Sequence, residues 1–215
     1  ELIVIDDCFC GWYGKRLWMN TKAVGKVRYF RNKTNIGVSG SRNRGVREAK
    51  GIYVAFLDAD DWWEKDKLKK TIILLEKTGS VNLFTGRALM HPDGTSAGKY
   101  IPVKQRITYR ELLKANSINC SSVLVRRDVI SRFPMEHDDS HEDYITWLKI
   151  LREYQCAVGI NEPLLKYRLS EGGKSRNKWK SAIMTYRVYR YMGFNILKST
   201  VLFISYAIHG LWKYR

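Results

Sequence analysis

Acids are scarce in this sequence: 21 Asp+Glu stand against 38 Lys+Arg, and none follows Glu171. The resulting net charge of +17 excludes an acidic chain held open by its own repulsion. It favours anionic partners such as nucleic acid, acidic lipid headgroups or sugar nucleotides. Cysteine is scarce too. Cys8, Cys10, Cys120 and Cys156 are too few and too scattered for a disulfide framework, so a reducing, cytoplasmic setting is expected. Cys8 and Cys10 form a lone C-x-C with no second pair, which is a weak zinc signal. Only four prolines occur, and neither a Pro-rich linker, an internal repeat nor a low-complexity tract interrupts the chain. Long apolar runs are missing as well. Ser199 to Trp212 is apolar but shorter than the roughly 20 residues a spanning helix needs.

What is present alternates. Leu2 to Ile5 reads as a buried strand rather than a secretory leader, a helix is expected around Tyr13 to Val24, and a strand at Val27 to Phe30. Asn35-Ile36-Gly37 makes a turn, and Ser39 or Ser41 can cap a helix running to Lys50. Leu68, Ile72 and Leu75 recur at helical spacing up to Gly79, strand character returns from Val81 to Met90, and Pro92-Asp93-Gly94 marks a turn. Thr108 to Ala115 is expected to be helical and Ser121 to Val125 to be a strand. The fold class expected is α/β, a mostly parallel sheet flanked by helices. A chain of 215 residues suits one such domain, residues 1–175, with a helical segment over 176–215.

The run Ile52-Tyr53-Val54-Ala55-Phe56-Leu57 ends abruptly in Asp58-Ala59-Asp60-Asp61. An unbroken apolar run of this length suits a central parallel strand, and in open α/β sheets ligands bind at the C-terminal strand ends. Crowded carboxylates repel one another unless water or a cation separates them. Asp58 and Asp60 are therefore candidate ligands for a hard divalent ion, Mg²⁺ or Mn²⁺, with a substrate diphosphate completing its shell. Asp61 can instead cap the next helix, with Glu64 as its capping-box partner. A second acidic stretch, His137-Asp138-Asp139-Ser140-His141-Glu142-Asp143, precedes an amphipathic helix bearing Tyr144, Trp147, Leu148 and Leu151. Its carboxylates are expected to be solvated, and Ser140 with Asp143 forms a capping-box pattern.

Ordered along the chain, Ile3-Val4-Ile5-Asp6-Asp7, Asn35-x-Gly37, Arg42-Asn43-x-Gly45, Phe56-Leu57-Asp58-Ala59-Asp60-Asp61 and Glu142-Asp143-Tyr144-x-x-Trp147-Leu148 form a specific set. The sequence resembles the family 2 glycosyltransferases, inverting sugar transferases with the GT-A fold, over about residues 1–170. That resemblance implies a nucleotide-sugar donor and a glycan or lipid-linked saccharide acceptor. It places Asp6 and Arg42 at the nucleotide, Asp58 at the ribose and diphosphate, Asp60 on the metal and Asp143 as general base. Asp7 joins the nucleotide set, although Phe9-Cys10-Gly11 after it departs from the family pattern. It further implies one more strand ahead of Glu1, so the chain reads as a piece of a longer gene product.

Arg168 and Lys174 lie in a basic, Gly-containing stretch suited to closing over phosphates. Gly172-Gly173-Lys174-Ser175 is not a phosphate loop, because Arg168 stands where that loop needs glycine. From Trp179 onward basic residues alternate with aromatics, which suits either a helix packed on the domain or a segment lying on an anionic membrane surface. A peripheral position on the inner face of the cell membrane follows from the second. The positive charge also fits a metal-dependent nucleic-acid enzyme, but the basic and aromatic residues gather after the α/β region and away from Asp58 and Asp60. Nucleic acid is therefore not the expected partner. A non-catalytic membrane-binding module is the third alternative.

Overall fold

The computed structural model describes residues 1–8, 27–169 and 178–213. The helix expected around Tyr13 to Val24, Cys10 and the basic stretch 170–175 lie outside the described residues. Two sheets form the frame. In the smaller, β1 (Leu2–Asp6) pairs in parallel with β2 (Val27–Arg31), Leu2 opposite Val27 and Asp6 opposite Arg31. Helix α1 (Gly37–Glu48) packs against β1, with Val46 buried and Gly45 facing Ile5.

The larger sheet contains β3 (Tyr53–Ala55), β4 (Trp62–Trp63), β5 (Asn82–Met90), β6 (Ser96–Ile101), β7 (Arg106–Thr108), β8 (Leu124–Arg126) and β9 (Cys156–Arg168). Its order is β3-β8-β5-β9-β4, with β6 added on β5 and β7 on β9. Helices α2 (Lys67–Thr78), α3 (Tyr109–Lys114), α4 (Arg127–Arg132), α5 (Glu142–Tyr154), α6 (Lys178–Tyr191) and α7 (Ile196–Lys213) flank it.

Local chemistry accounts for the elements. Helix α2 buries Thr71 and Leu75 and stops at Gly79, whose φ of +64° is a left-handed conformation that glycine adopts without a Cβ clash. Helix α3 opens on a capping box, in which the Glu111 N–H donates to Thr108 Oγ1 at 3.3 Å and the Thr108 N–H donates to Glu111 Oε2 at 2.9 Å. The Pro92-Asp93-Gly94 turn joins β5 to β6, with the Thr95 N–H donating to Asp93 Oδ1 at 2.9 Å. Helix α5 drives Tyr144, Trp147, Leu148 and Leu151 into the core beside Val125 and Ala157. Burying an apolar side chain of this size stabilises the fold by roughly 1.5–3 kcal/mol.

The α/β class and the helix-flanked sheet match expectation, but the pairing is mixed rather than mostly parallel. Among the described residues, parallel partners are confined to β1–β2 and β5–β9. Strands β3, β4, β6, β7 and β8 all pair antiparallel. The run 52–57 is not a doubly buried central strand either. Strand β3 ends the seven-stranded order, and Ile52 and Leu57 on either side of it are exposed. An apolar run without alternation does not by itself specify how many neighbours a strand has. Strand β9, with 13 residues and three partners among the described residues (β4, β5 and β7), was not foreseen as a strand. Its polar interruption, Asn161-Glu162-Pro163, sits at a register shift opposite Thr85 to Arg87 and hides the continuity.

Candidate functional site

Beyond β3 the chain turns, the Asp61 N–H donating to Asp58 O at 3.1 Å. A short 3₁₀ turn, Cys120–Ser122, holds this bend from below. There the Asp58 N–H donates to Ser121 Oγ at 3.1 Å, and Trp63 Nε1 donates to Ser121 O at 2.7 Å. Asp60 is exposed, whereas Asp61 is buried. Asp61 does not cap a helix, and Glu64 makes no capping box with it. Helix α2 begins only at Lys67, and Glu64 pairs with Lys166 at 2.8 Å. Asp61 Oδ1 accepts the Arg168 N–H at 3.0 Å, while its Oδ2 is buried without a hydrogen-bond partner among the described residues. Burial lifts this carboxyl to about 6, against the Ser121 hydroxyl and the Arg168 N–H, and Asp58 and Asp60 lift it further.

Arg168, at the end of β9, comes to the same bend. Its Nε donates to Asp60 O at 3.0 Å and its Nη1 to Pro92 O at 2.8 Å, and the guanidinium lies 5.2 Å from the Trp62 ring centroid. A cation is thus fixed on the Asp60 backbone carbonyl. Lys174, its expected companion, is outside the described residues.

Arg42 projects from the middle of α1 and forks. Its Nη2 lies 2.7 Å from Asp58 Oδ1 and its Nη1 2.9 Å from Glu142 Oε1. Burial works against the charged guanidinium, but the field of Cys120, Asp58 and Asp143 holds its pKa well above the usual arginine value. The fork ties the acid turn after β3 to the first turn of α5. There Asp143 is half-buried. Desolvation and the adjacent Glu142 raise its carboxyl to about 6, against the opposing pull of Arg42 and of the Tyr144 N–H, which donates to Asp143 Oδ1 at 2.8 Å. An ionised base with that affinity for protons is well placed to take one near neutral pH.

The acidic loop before α5 is exposed from His137 to Asp139, as expected, but its acids also make tertiary contacts. Asp138 Oδ1 accepts the Ser39 N–H at 3.0 Å, capping α1 from across the fold. Asp139 pairs with Arg187 at 3.0 Å and accepts the Tyr191 hydroxyl at 2.8 Å. Ser140 is buried and donates to Met184 O at 3.1 Å, so it makes no capping box, and His141, which precedes α5, gives it no side-chain cap. Arg187 of α6 and the Ser39 N–H of α1 hold these acids at the surface. Sequence spacing carries no sign of contacts at such separation. Likewise neither Ser39 nor Ser41 caps α1: Ser39 receives the cap, and Ser41 Oγ accepts from Asn32 Nδ2 at 3.0 Å.

Asp6 and Asp7 close β1. The Tyr29 hydroxyl donates to Asp6 Oδ2 at 2.5 Å, with Arg31 Nε at 3.7 Å from the same oxygen. Asp7 Oδ1 accepts both the Ile36 N–H and Asn32 Nδ2 at 2.8 Å. Burial opposes ionisation of Asp7, but these hydrogen bonds hold its carboxyl below the ordinary aspartate value. Asp7 thereby fixes the entry to α1, the helix that carries Arg42. The structure brings Asp58, Asp60, Arg42, Asp143 and Arg168 around one end of the larger sheet, and Asp6 and Asp7 lie at the end of β1 in the smaller sheet. Glu142, Asp138 and Ser121 complete the support and were not singled out for these contacts from sequence. Cys8 Sγ lies 3.7 Å from Lys33 O, and no cluster of three metal-ligating residues occurs among the described residues.

Comparison with known proteins bears on the family and the fold. The profile of glycosyl transferase family 2 matches residues 1–133. A Bacillus subtilis glycosyltransferase assigned to teichuronic acid biosynthesis, TuaG, is 35% identical over 214 residues, 99% of this chain and 85% of its own. WfgD of Escherichia coli, a UDP-Glc:alpha-D-GlcNAc-diphosphoundecaprenol beta-1,3-glucosyltransferase, is 30% identical over 217 residues, 100% of this chain and 83% of its own. The crystal structure of S. aureus TarS 1-349 in complex with UDP-GlcNAc superposes with a TM-score of 0.72 at 16% identity, covering 96% of this chain and 62% of that one. At that identity the structural likeness shows the fold.

Proposed function

This chain belongs to glycosyl transferase family 2, and we propose that it transfers a sugar, with inversion, from a uridine diphosphate sugar to a lipid-linked saccharide in surface polysaccharide synthesis. The donor and acceptor classes are supported by WfgD, named for a UDP-Glc donor and a diphosphoundecaprenol-linked acceptor, and by the TarS complex with UDP-GlcNAc. One observation carries the assignment to this site: the Arg42 fork, which holds Asp58 on the donor side and Glu142, next to Asp143, on the other.

The acceptor hydroxyl attacks the anomeric carbon, the bond to the diphosphate breaks, and the hydroxyl proton goes to Asp143 Oδ. General-base help of this kind contributes about 10²–10⁴ in rate. Arg42 orients Asp58 and keeps Glu142 from repelling a second charge at Asp143. The Arg168 guanidinium, fixed beside Asp60, receives phosphate oxygens. Asp6, Asp7 and the start of α1 form the wall expected to meet the base and ribose.

The carboxylates also fit a divalent cation. Asp60 is exposed and Asp58 keeps one oxygen off Arg42, a hard-oxygen pair of the kind that holds Mg²⁺ or Mn²⁺ together with substrate phosphates and water. Such an ion, when bound, neutralises charge on the departing diphosphate. A lipid-carried acceptor sets the reaction at a membrane surface, on the cytoplasmic side where nucleotide sugars are available. Among the described residues, no helix is long and apolar enough to cross a membrane.

Calorimetric titration of uridine diphosphate with and without Mn²⁺ tests the donor site. Metal-dependent binding that Asp60→Asn abolishes is expected. Equal heats with and without metal, in both proteins, would overturn the assignment.

A further inference from the structure

Helix α7 is apolar on both sides. Its inner side places Leu202, Phe203 and Tyr206 against the core, and Ser199 is buried with them. Its outer side carries Leu197, Val201, Ile204 and Ile208, at i, i+4, i+7 and i+11, and these are 76%, 58%, 52% and 51% exposed. On α6, Trp179 and Ile183 lie one turn apart and are 82% and 53% exposed. The Tyr186 and Phe203 rings meet edge-on at 6.2 Å and join the two helices. An apolar face of this extent is a docking surface rather than ordinary surface scatter.

Charge identifies the occupant. The two helices bear Lys178, Lys180, Arg187, Arg190, Lys198 and Lys213 and no acid at all. A second copy of this chain would bring another +17 molecule to the same face with no carboxylate on either helix to pair. An anionic lipid surface supplies both an apolar layer and the opposite charge.

We propose that the outer face of α7, with Trp179 and Ile183 of α6, docks in the plane of an anionic membrane. This deepens the proposed function and rests on it for the meaning of the orientation. Through Arg187, Tyr191 and the Met184 carbonyl, α6 grips Asp139 and Ser140, the residues that lead into Asp143. Docking therefore sets the acceptor side of the site toward the lipid, where a lipid-carried saccharide would arrive.

Flotation of the full chain with vesicles of phosphatidylcholine and phosphatidylglycerol in equal parts, against phosphatidylcholine alone, tests this face. Binding to the anionic vesicles, weakened by salt, is expected. Leu197→Glu with Ile204→Glu should lower it about tenfold or more, while uridine diphosphate binding is retained as proof of folding. Quenching of Trp179 by brominated lipid, lost in Trp179→Phe, reports insertion in the otherwise unaltered chain. The proposal is overturned if the parent chain ignores anionic vesicles or if the double variant floats equally well. A lipid-free dimer that the double variant splits would overturn it too, in favour of a second copy. Vesicle binding without any response to uridine diphosphate would sink the proposed function and leave the docking face standing.

Discussion

Asp138 and Ser39, 99 residues apart, meet at the N-terminus of α1, where Asp138 Oδ1 accepts the Ser39 N–H at 3.0 Å and the Ser39 hydroxyl at 2.5 Å. The first turn of this helix has no acid of its own, so a distant carboxylate takes the place of a local cap. Gly37 makes the approach feasible. Its φ is +77°, and a Cβ there would fall on Asp138 Oδ2. Asp138→Ala should cost about 1–2 kcal/mol, as loss of an N-cap does. Gly37→Ala should cost more, because it adds backbone strain to the clash. Urea unfolding of the double variant should show less than the sum of the two losses, since removing Asp138 relieves the clash.

Arg42 is the second point of dependence. Glu142 is buried and its charge is compensated by Arg42 Nη1 at 2.9 Å. Removing one partner of a buried pair leaves an uncompensated charge, at a cost of about 3–5 kcal/mol. Since Asp58 is partly solvated, the loss for Arg42→Ala should fall at the lower end of that range. Arg42→Lys keeps the charge but cannot fork to both acids, so an intermediate loss in urea midpoint is expected, with weakened nucleotide binding.

Lys67 supplies a pH-dependent test away from the acids. Its amine is fully buried 4.2 Å from the Trp63 ring centroid, with no hydrogen-bond partner among the described residues. Burial lowers its pKa to about 7 from an ordinary 10.5. Between those values the unfolded chain holds the proton and the folded chain does not, so stability rises with pH across the window and is lowest below about 7. Lys67→Met should therefore be more stable than the parent at pH 7, by about 1 kcal/mol or more. The advantage should fade toward pH 10, as read by thermal unfolding at both pH values.

Much of this was legible in the sequence, and the exceptions share a cause. Periodicity located α2, α5 and β5, and turn chemistry located the β5–β6 hairpin. The ordered motifs placed Asp58, Asp60, Arg42 and Asp143, and the structure gathers them with Arg168 at one sheet end. Contacts over long separations were not legible: Asp138 on Ser39, Asp139 on Arg187 and Asp61 on the Arg168 backbone. A capping residue and a tertiary acceptor look identical in a sequence, so Asp61, Ser140 and Ser39 were each read locally and each serve a distant partner. Strand partners failed for the same reason, because β3 and β9 are defined by what lies beside them. The capping box of Thr108 and Glu111, in contrast, was a local signal open to detection.

The most direct test is the transfer rate of Asp143→Asn with a saturating nucleotide-sugar donor. Asparagine keeps the shape of the side chain and removes its capacity to take a proton. A fall of about 10²–10⁴ is expected, with donor binding intact and with the parent's rate rising as pH passes through about 6. A variant that transfers sugar at the parent's rate would show that the carboxylate raised at the head of α5 is not the base.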